Sequence, residues 1–216
     1  MVEKSKIQPI EFLWLGLYGF AGFSLELILG MVVGLFQKEG LSISMNGALT
    51  AVLWFGAAYL LARYAKNKFG FDLFEIRKTP ESKALLLIVG LVLLIIAVST
   101  FGFGGFKPIV EFNGDLQQSV PAFIFRNIYY LAETGLIVVT VAFGQAFFEQ
   151  QFSLSEKFPT GGLFLALTWG LMHFLLQGFF GGLYTIFFSL AAGCIFVLCK
   201  KDIRWAYLFV AIAFIL

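Results

Sequence analysis

The sequence predicts an all-α, polytopic transmembrane helical bundle, and three observations lead there. Of its 216 residues 60% are hydrophobic and only 13% charged, about half the roughly 25% charge of a soluble globular domain. Mean hydropathy is +0.90. The apolar residues also run in blocks of about 20, the length a helix needs to cross a hydrocarbon layer of about 30 Å. These blocks do not alternate in polarity, which excludes an outer-membrane barrel. The net charge of +2 comes from scattered loop lysines, which excludes a nucleic-acid partner. Two cysteines five residues apart, Cys194 and Cys199, are no framework for a secreted disulfide scaffold.

Six segments are long enough to span: Ile10 to Phe36, Met45 to Ala65, Ala84 to Phe106, Val120 to Phe148, Gly161 to Phe180 and Gly181 to Cys199. The first follows Pro9 and holds 27 residues, too long for the core of a cleavable signal, so it is expected to stay. The second runs into the basic stretch from Arg63 to Lys83. The third lies between Pro80 and Pro108 and ends in the Gly-rich turn Phe101 to Phe106. The fourth opens at Val120-Pro121 and the fifth just after Pro159, where a missing N–H costs a helix nothing. Gly178 to Gly182 reads as a turn leading into the sixth. A seventh segment, Trp205 to Leu216, has 12 residues, or roughly 18 Å, and is expected to be a half-span or re-entrant end.

Basic residues set the orientation. Lys4, Lys6, Arg63, Lys66, Lys68, Arg77, Lys78, Lys83, Lys157, Lys200, Lys201 and Arg204 make 12 on one side, against Lys38 and Lys107 on the other. The positive-inside rule then places the N-terminus in the cytoplasm of a multi-pass cell-membrane protein. No composition break or repeat divides residues 1–216, so one integral domain is expected. Close helix contacts in lipid need small residues, and Gly30/Gly34 and Ser189/Gly193 are the small-xxx-small candidates.

Four ionisable residues fall inside spans, where a charge costs about 2.5 to 3.5 kcal/mol on insertion scales: Glu26, Arg126, Glu133 and His173. Counted from the cytoplasmic ends, Glu133 is 15 residues in, His173 12 and Glu26 16, or about 22, 18 and 24 Å. All three reach nearly one level. Arg126, Tyr130, Glu133, Ile137 and Thr140 share one face of the fourth span, and Trp169, His173 and Gln177 share one face of the fifth. Two polar stripes at one depth predict a hydrophilic pocket. The plainer alternative is that the same groups only tie helices together.

The single histidine prunes the chemistry. Zinc catalysis ordinarily takes three protein ligands and a water, and no such set or HExxH motif is present, so neither a metal nor another cofactor is expected. All three Asp fall in predicted loops, which excludes an aspartyl dyad. Ser24 lacks the following glycine of intramembrane serine proteases. A carboxylate and an imidazole able to hold one water remain, the minimum for general-base hydrolysis.

Glu133-Thr134-Gly135-Leu136-Ile137-Val138 followed about 40 residues later by Trp169-Gly170-Leu171-Met172-His173 resembles the EExxxR and FxxxH motifs of the CAAX-protease and bacteriocin-processing (CPBP, or Abi) family of intramembrane glutamic proteases. The likeness covers about residues 120–216. Only Glu133 and His173 carry over. Thr134 replaces the second Glu, Val138 the Arg, Trp169 the Phe, and Trp205 to Leu216 contains neither His nor Asn of the final HxxxN-type motif. The resemblance implies Glu133 as the water-activating base and His173 as its positioning partner or oxyanion donor; Arg126, Tyr130, Trp169, Gln177 and Glu26 are expected around them from spacing and depth alone. Three function classes stay open: an endopeptidase cutting a transmembrane or hydrophobic peptide, a non-catalytic peptide binder such as a bacteriocin self-immunity factor, and a small-solute carrier. The partners expected are membrane lipid and such a peptide.

Overall fold

The structure, a computed structural model, describes residues 7–35, 42–116 and 120–216, and all regular structure among them is helical. In chain order these are α1 (Pro9–Phe23), α2 (Leu25–Leu35), α3 (Ser42–Phe69), α4 (Ser82–Gly102), α5 (Lys107–Leu116), α6 (Val120–Phe152), α7 (Thr160–Leu165), a π-helical turn (Ala166–Gly170), α8 (Leu171–Leu198) and α9 (Ile203–Ile215). Five runs are long and apolar enough to cross a membrane: Pro9–Leu35, Asn46–Phe69, Ser82–Gly102, Val120–Phe152 and Thr160–Leu198. The chain is an all-α membrane-protein bundle. Lys4, Lys6, Lys38 and the Phe36 end of the first expected span lie outside the described residues.

The last of these runs is not one rod. A straight helix of its 39 residues would extend about 58 Å, yet Gly162 and Gly193 lie side by side: a Cβ added to Gly162 would stand 2.9 Å from the Cα of Gly193. Farther along, the Thr185 hydroxyl donates to the Gly170 carbonyl at 3.2 Å. The two arms fold back at Gly178, whose φ of 75° and ψ of −170° suit glycine alone. The two spans expected at Gly161 to Phe180 and Gly181 to Cys199 are therefore the arms of a helical hairpin. Of the two small-residue pairs, Ser189/Gly193 is a real seam, because Gly162 packs on the Ser189 carbonyl and on Gly193. Gly30 and Gly34 have no described atom within 4 Å of where a Cβ would sit, so among the described residues no helix packs on them.

The central element is α6, with every residue from Ala132 to Ala146 buried except Gly135. An apolar helix buried all round has no amphipathic stripe, which is why its sequence reads simply as a span. α1 lies along it through Gly16, Gly19 and Gly22, which face Phe164, Thr140 and Leu136. Small residues on one stripe let the backbones approach where lipid gives no hydrophobic drive. The sequence also concealed α5. Lys107 to Leu116 was expected as loop, but it forms a short helix, so Asp115 lies in a helix outside the candidate spans.

Polar clasps close the bundle at the end where α1 begins and α6 finishes. Gln145, 1% exposed, donates to Glu149 (2.6 Å) and to the Phe158 carbonyl (2.8 Å), and its Oε1 accepts from the Gly161 N–H (2.8 Å). Asp202, fully buried, accepts from the backbone N–H of Arg77 at 3.1 Å and from that of Arg204 at 3.0 Å, and pairs with the Arg204 guanidinium at 2.6 Å. It caps α9 and ties the 70–81 connection to the α8–α9 turn.

The Arg204 guanidinium, helped by the two backbone N–H groups, holds the Asp202 carboxyl down to about 2, below the roughly 3.9 of an unfolded Asp. A depressed carboxylate contributes stability that is full above about pH 4 and lost as pH falls toward 2. Thermal unfolding in detergent should therefore show Asp202→Asn destabilised by about 1 to 3 kcal/mol at pH 7, with the gap from wild type closing between about pH 4 and pH 2. A pH-independent gap would contradict this account of the clasp.

Candidate functional site

At the opposite end of the bundle α2, α3, α6, the π-helical turn and α8 enclose a cavity of about 990 Å³. The residues expected to share a pocket do so: Glu26, Arg126, Tyr130, Glu133, Trp169, His173 and Gln177 all line it. Ile137 and Thr140, lower on the same α6 face, are buried between helices instead. Phe20, Phe23, Leu27, Leu176 and Phe214 supply an apolar wall. Leu27 and Leu176 are more than half exposed, so this wall continues onto the lipid-facing surface.

The π-helical turn sets the position of the chemistry. Its last two residues are Trp169 and Gly170, and such turns insert an extra residue that re-aims side chains, often at functional sites. Trp169 is 3% exposed and touches both principal residues. Its side chain interacts with the Glu133 carboxyl, and its ring centroid lies 4.3 Å from that of His173. The His173 Nδ1 lies 2.7 Å from the Trp169 carbonyl oxygen. Because a carbonyl only accepts, Nδ1 carries a proton, and the neutral ring keeps Nε2 as its acceptor. Glu133 is 6% exposed and His173 8%. Among the described residues no hydrogen bond or ion pair joins them directly.

Glu26 is held from α6 by Tyr129, whose hydroxyl donates to its Oε1 at 2.9 Å. The Tyr129 ring lies tilted against Trp54 with centroids 4.6 Å apart, and the Trp54 indole nitrogen is buried with no partner among the described residues. Arg126 reaches the Tyr130 hydroxyl, which donates to Glu111 of α5 at 2.6 Å. Ser24 lines the cavity but spends its hydroxyl on the Ala21 carbonyl at 2.6 Å.

Lys107, Glu111 and Tyr129 were missed in the sequence. Lys107 is 4% exposed, lines the cavity, and donates to the Phe214 carbonyl at 2.5 Å. The available signal was the i, i+4 spacing of Lys107 and Glu111, which puts both on one face if the segment is helical. A flanking glycine cluster and Pro108 made it read as loop. Among the described residues no three His, Cys, Asp or Glu gather to hold a metal ion, and the free thiols Cys194 and Cys199 do not line the cavity.

No protein-family model, curated protein or solved structure matches the chain.

If Tyr129 holds Glu26 as described, Tyr129→Phe should lower stability in detergent by about 1 to 3 kcal/mol, the cost of a buried acceptor losing its donor. Glu26→Gln with Tyr129→Phe should cost less than the sum of the single changes. Strict additivity in thermal unfolding would mean that the two side chains do not interact.

Proposed function

We propose that the cavity is the hydrolytic site of an intramembrane endopeptidase of the glutamic type, acting on a hydrophobic or transmembrane peptide. One observation carries this reading: the buried carboxylate Glu133 and the only histidine in the sequence, His173, face one cavity and share Trp169 as a neighbour. Glu133 is the general base, taking a proton from a water that Nε2 of His173 holds in place. The apolar wall that continues through Leu27 and Leu176 to the lipid-facing surface supports entry of the peptide from the bilayer. The CPBP likeness supports the same reading through Glu133, His173 and their spacing, although the second Glu, the Arg and the final motif are replaced. Glu133→Gln keeps shape and removes the base, so it should abolish cleavage with abundance and fold intact, and His173→Ala should reduce it. The measurement compares membrane-fraction peptide ends from cells carrying wild type, Glu133→Gln or no protein. Peptide ends unaffected by Glu133→Gln would overturn the mechanism.

A second reading, peptide sequestration without cleavage, draws on the replaced motif positions Thr134 and Val138, since loss of an oxyanion donor costs about 10²- to 10³-fold in rate. It is adopted if an immunity phenotype survives Glu133→Gln.

The orientation belongs to the same proposal: a multi-pass cell-membrane protein with a cytoplasmic N-terminus, the 70–81 connection inside and the cavity in the outer half of the bilayer. A single cysteine at Asn113, in a background lacking Cys194 and Cys199, should react with an impermeant thiol reagent on intact cells, and one at Asn67 should not. Both positions are exposed. The reverse pattern would invert the topology.

A further inference from the structure

Lys107 is buried to 4%, yet among the described residues no carboxylate comes within ion-pair distance of it. Its ammonium has three donors, and one goes to the Phe214 carbonyl. Around it stand the rings of Tyr130, Phe214 and Phe103, with centroids at 4.3, 4.8 and 5.6 Å. Aromatic faces stabilise a cation without neutralising it. The amine thus stands on the wall of the cavity that also holds Glu133; burial, the largest effect, disfavours its charged form, while Glu111 and Glu133 favour it. Burying an ammonium costs several kcal/mol unless it is compensated, so one with donors to spare at a ligand-sized cavity marks a place for an anionic oxygen.

We propose that Lys107 is the anion-recognising group of this cavity, and that the ligand class it selects is a hydrophobic peptide bearing a carboxylate or a developing oxyanion. For turnover this rests on the hydrolytic reading; for recognition it does not. Water adds to the scissile carbonyl carbon and gives one proton to Glu133, while the carbonyl oxygen takes the electron pair of the π bond and becomes the oxyanion facing Lys107. Collapse of this adduct re-forms the C=O bond and breaks the C–N bond. The proton returns from Glu133 to the departing nitrogen, and the remaining hydroxyl proton completes its ammonium. The products are an amine, protonated, and a carboxylate left beside Lys107. Lys107 thereby occupies the role that the replaced motif positions leave without a donor.

The test measures binding first. The full chain in nanodiscs of zwitterionic lipid is titrated with dansyl-trileucine as its free carboxylate and as its carboxamide. Wild type should prefer the carboxylate by about tenfold or more, one unit of charge-assisted hydrogen bonding. Lys107→Met should lose the preference while keeping its affinity for the carboxamide, and Lys107→Arg, which keeps the charge, should retain at least part of it. Equal binding of the two peptides by wild type, no binding of either, or a preference that survives Lys107→Met overturns the proposal. If Lys107→Met does not fold, the wild-type comparison decides alone. Where cleavage is measurable, Lys107→Met should lower kcat about 10²-fold or more with little change in KM. A Lys107-dependent carboxylate preference in a chain that never cleaves would sink the hydrolytic reading and leave anion recognition standing, so the two failures are distinguishable.

Discussion

Glu133 sits on the helix against which most of the bundle packs, and a carboxylate there has no bulk water to solvate it. Its buried position has to be compensated by fixed polar groups, because an isolated charge in a low-dielectric interior costs more than any packing contact returns. Much of the cavity end follows from that constraint. The π-helical turn brings Trp169 against the carboxyl, and helical spacing of four residues keeps His173 beside Trp169. α5, invisible as a span, carries Lys107 and Glu111 to the same cavity region, where Tyr130 joins Glu111 to Arg126. Polar and aromatic contacts at this end thus tie several helices together, which is the form cohesion takes where lipid gives no hydrophobic drive between helices.

The spans and the cavity were legible in the sequence for the same reason: a bilayer converts length and period directly into geometry. Counting residues from charged ends put Glu26, Glu133 and His173 at one depth, and the 3.6-residue period put Arg126, Tyr130 and Glu133 on one face. All of them line one cavity. What stayed hidden depends on contacts between elements distant in sequence. Nothing local distinguishes Gly16, Gly19 and Gly22, which pack on α6 and α7, from Gly30 and Gly34, which have no described atom against them. The distinction is made by Leu136, Thr140 and Phe164, more than 100 residues away in the chain. Lys107 was hidden in another way. Counted as one of two basic residues on the outer side, it looked like solvent-exposed charge, and only the placement of Tyr130 and Phe214 turns it into a buried one.

The two ends of the bundle divide their work. Around Asp202 and Gln145 each buried polar atom that makes the clasp has a partner in the chain, so that end is closed and its polar groups rigidify. At the cavity end the balance differs: Trp54 has a buried N–H without a partner among the described residues, and Lys107 has more donors than acceptors. Buried polar groups left short of partners are costly to a fold. Among the described residues three of them, on Asn46, Trp54 and Tyr184, belong to residues that line the cavity, where a ligand can supply partners, while those of Thr140 and Thr160 lie outside it.

The same contrast narrows which ligand. A small hydrated ion would satisfy Lys107 or Glu133 but would leave Phe20, Phe23, Leu27 and Leu176 facing water across a cavity of about 990 Å³. A purely apolar lipid chain would cover that wall and leave the charges unsolvated, at several kcal/mol each. A ligand with an apolar body and a polar, hydrogen-bonding centre meets both demands, and a peptide segment is of that kind, since its side chains are apolar while each amide carries a donor and an acceptor. In a bilayer such a segment normally satisfies its amides within its own helix. A site able to act on it must therefore replace those bonds as the helix unwinds locally, and the Trp54 N–H, without a partner among the described residues, and the spare donors of Lys107 line the cavity with Glu133 and are groups that can do so.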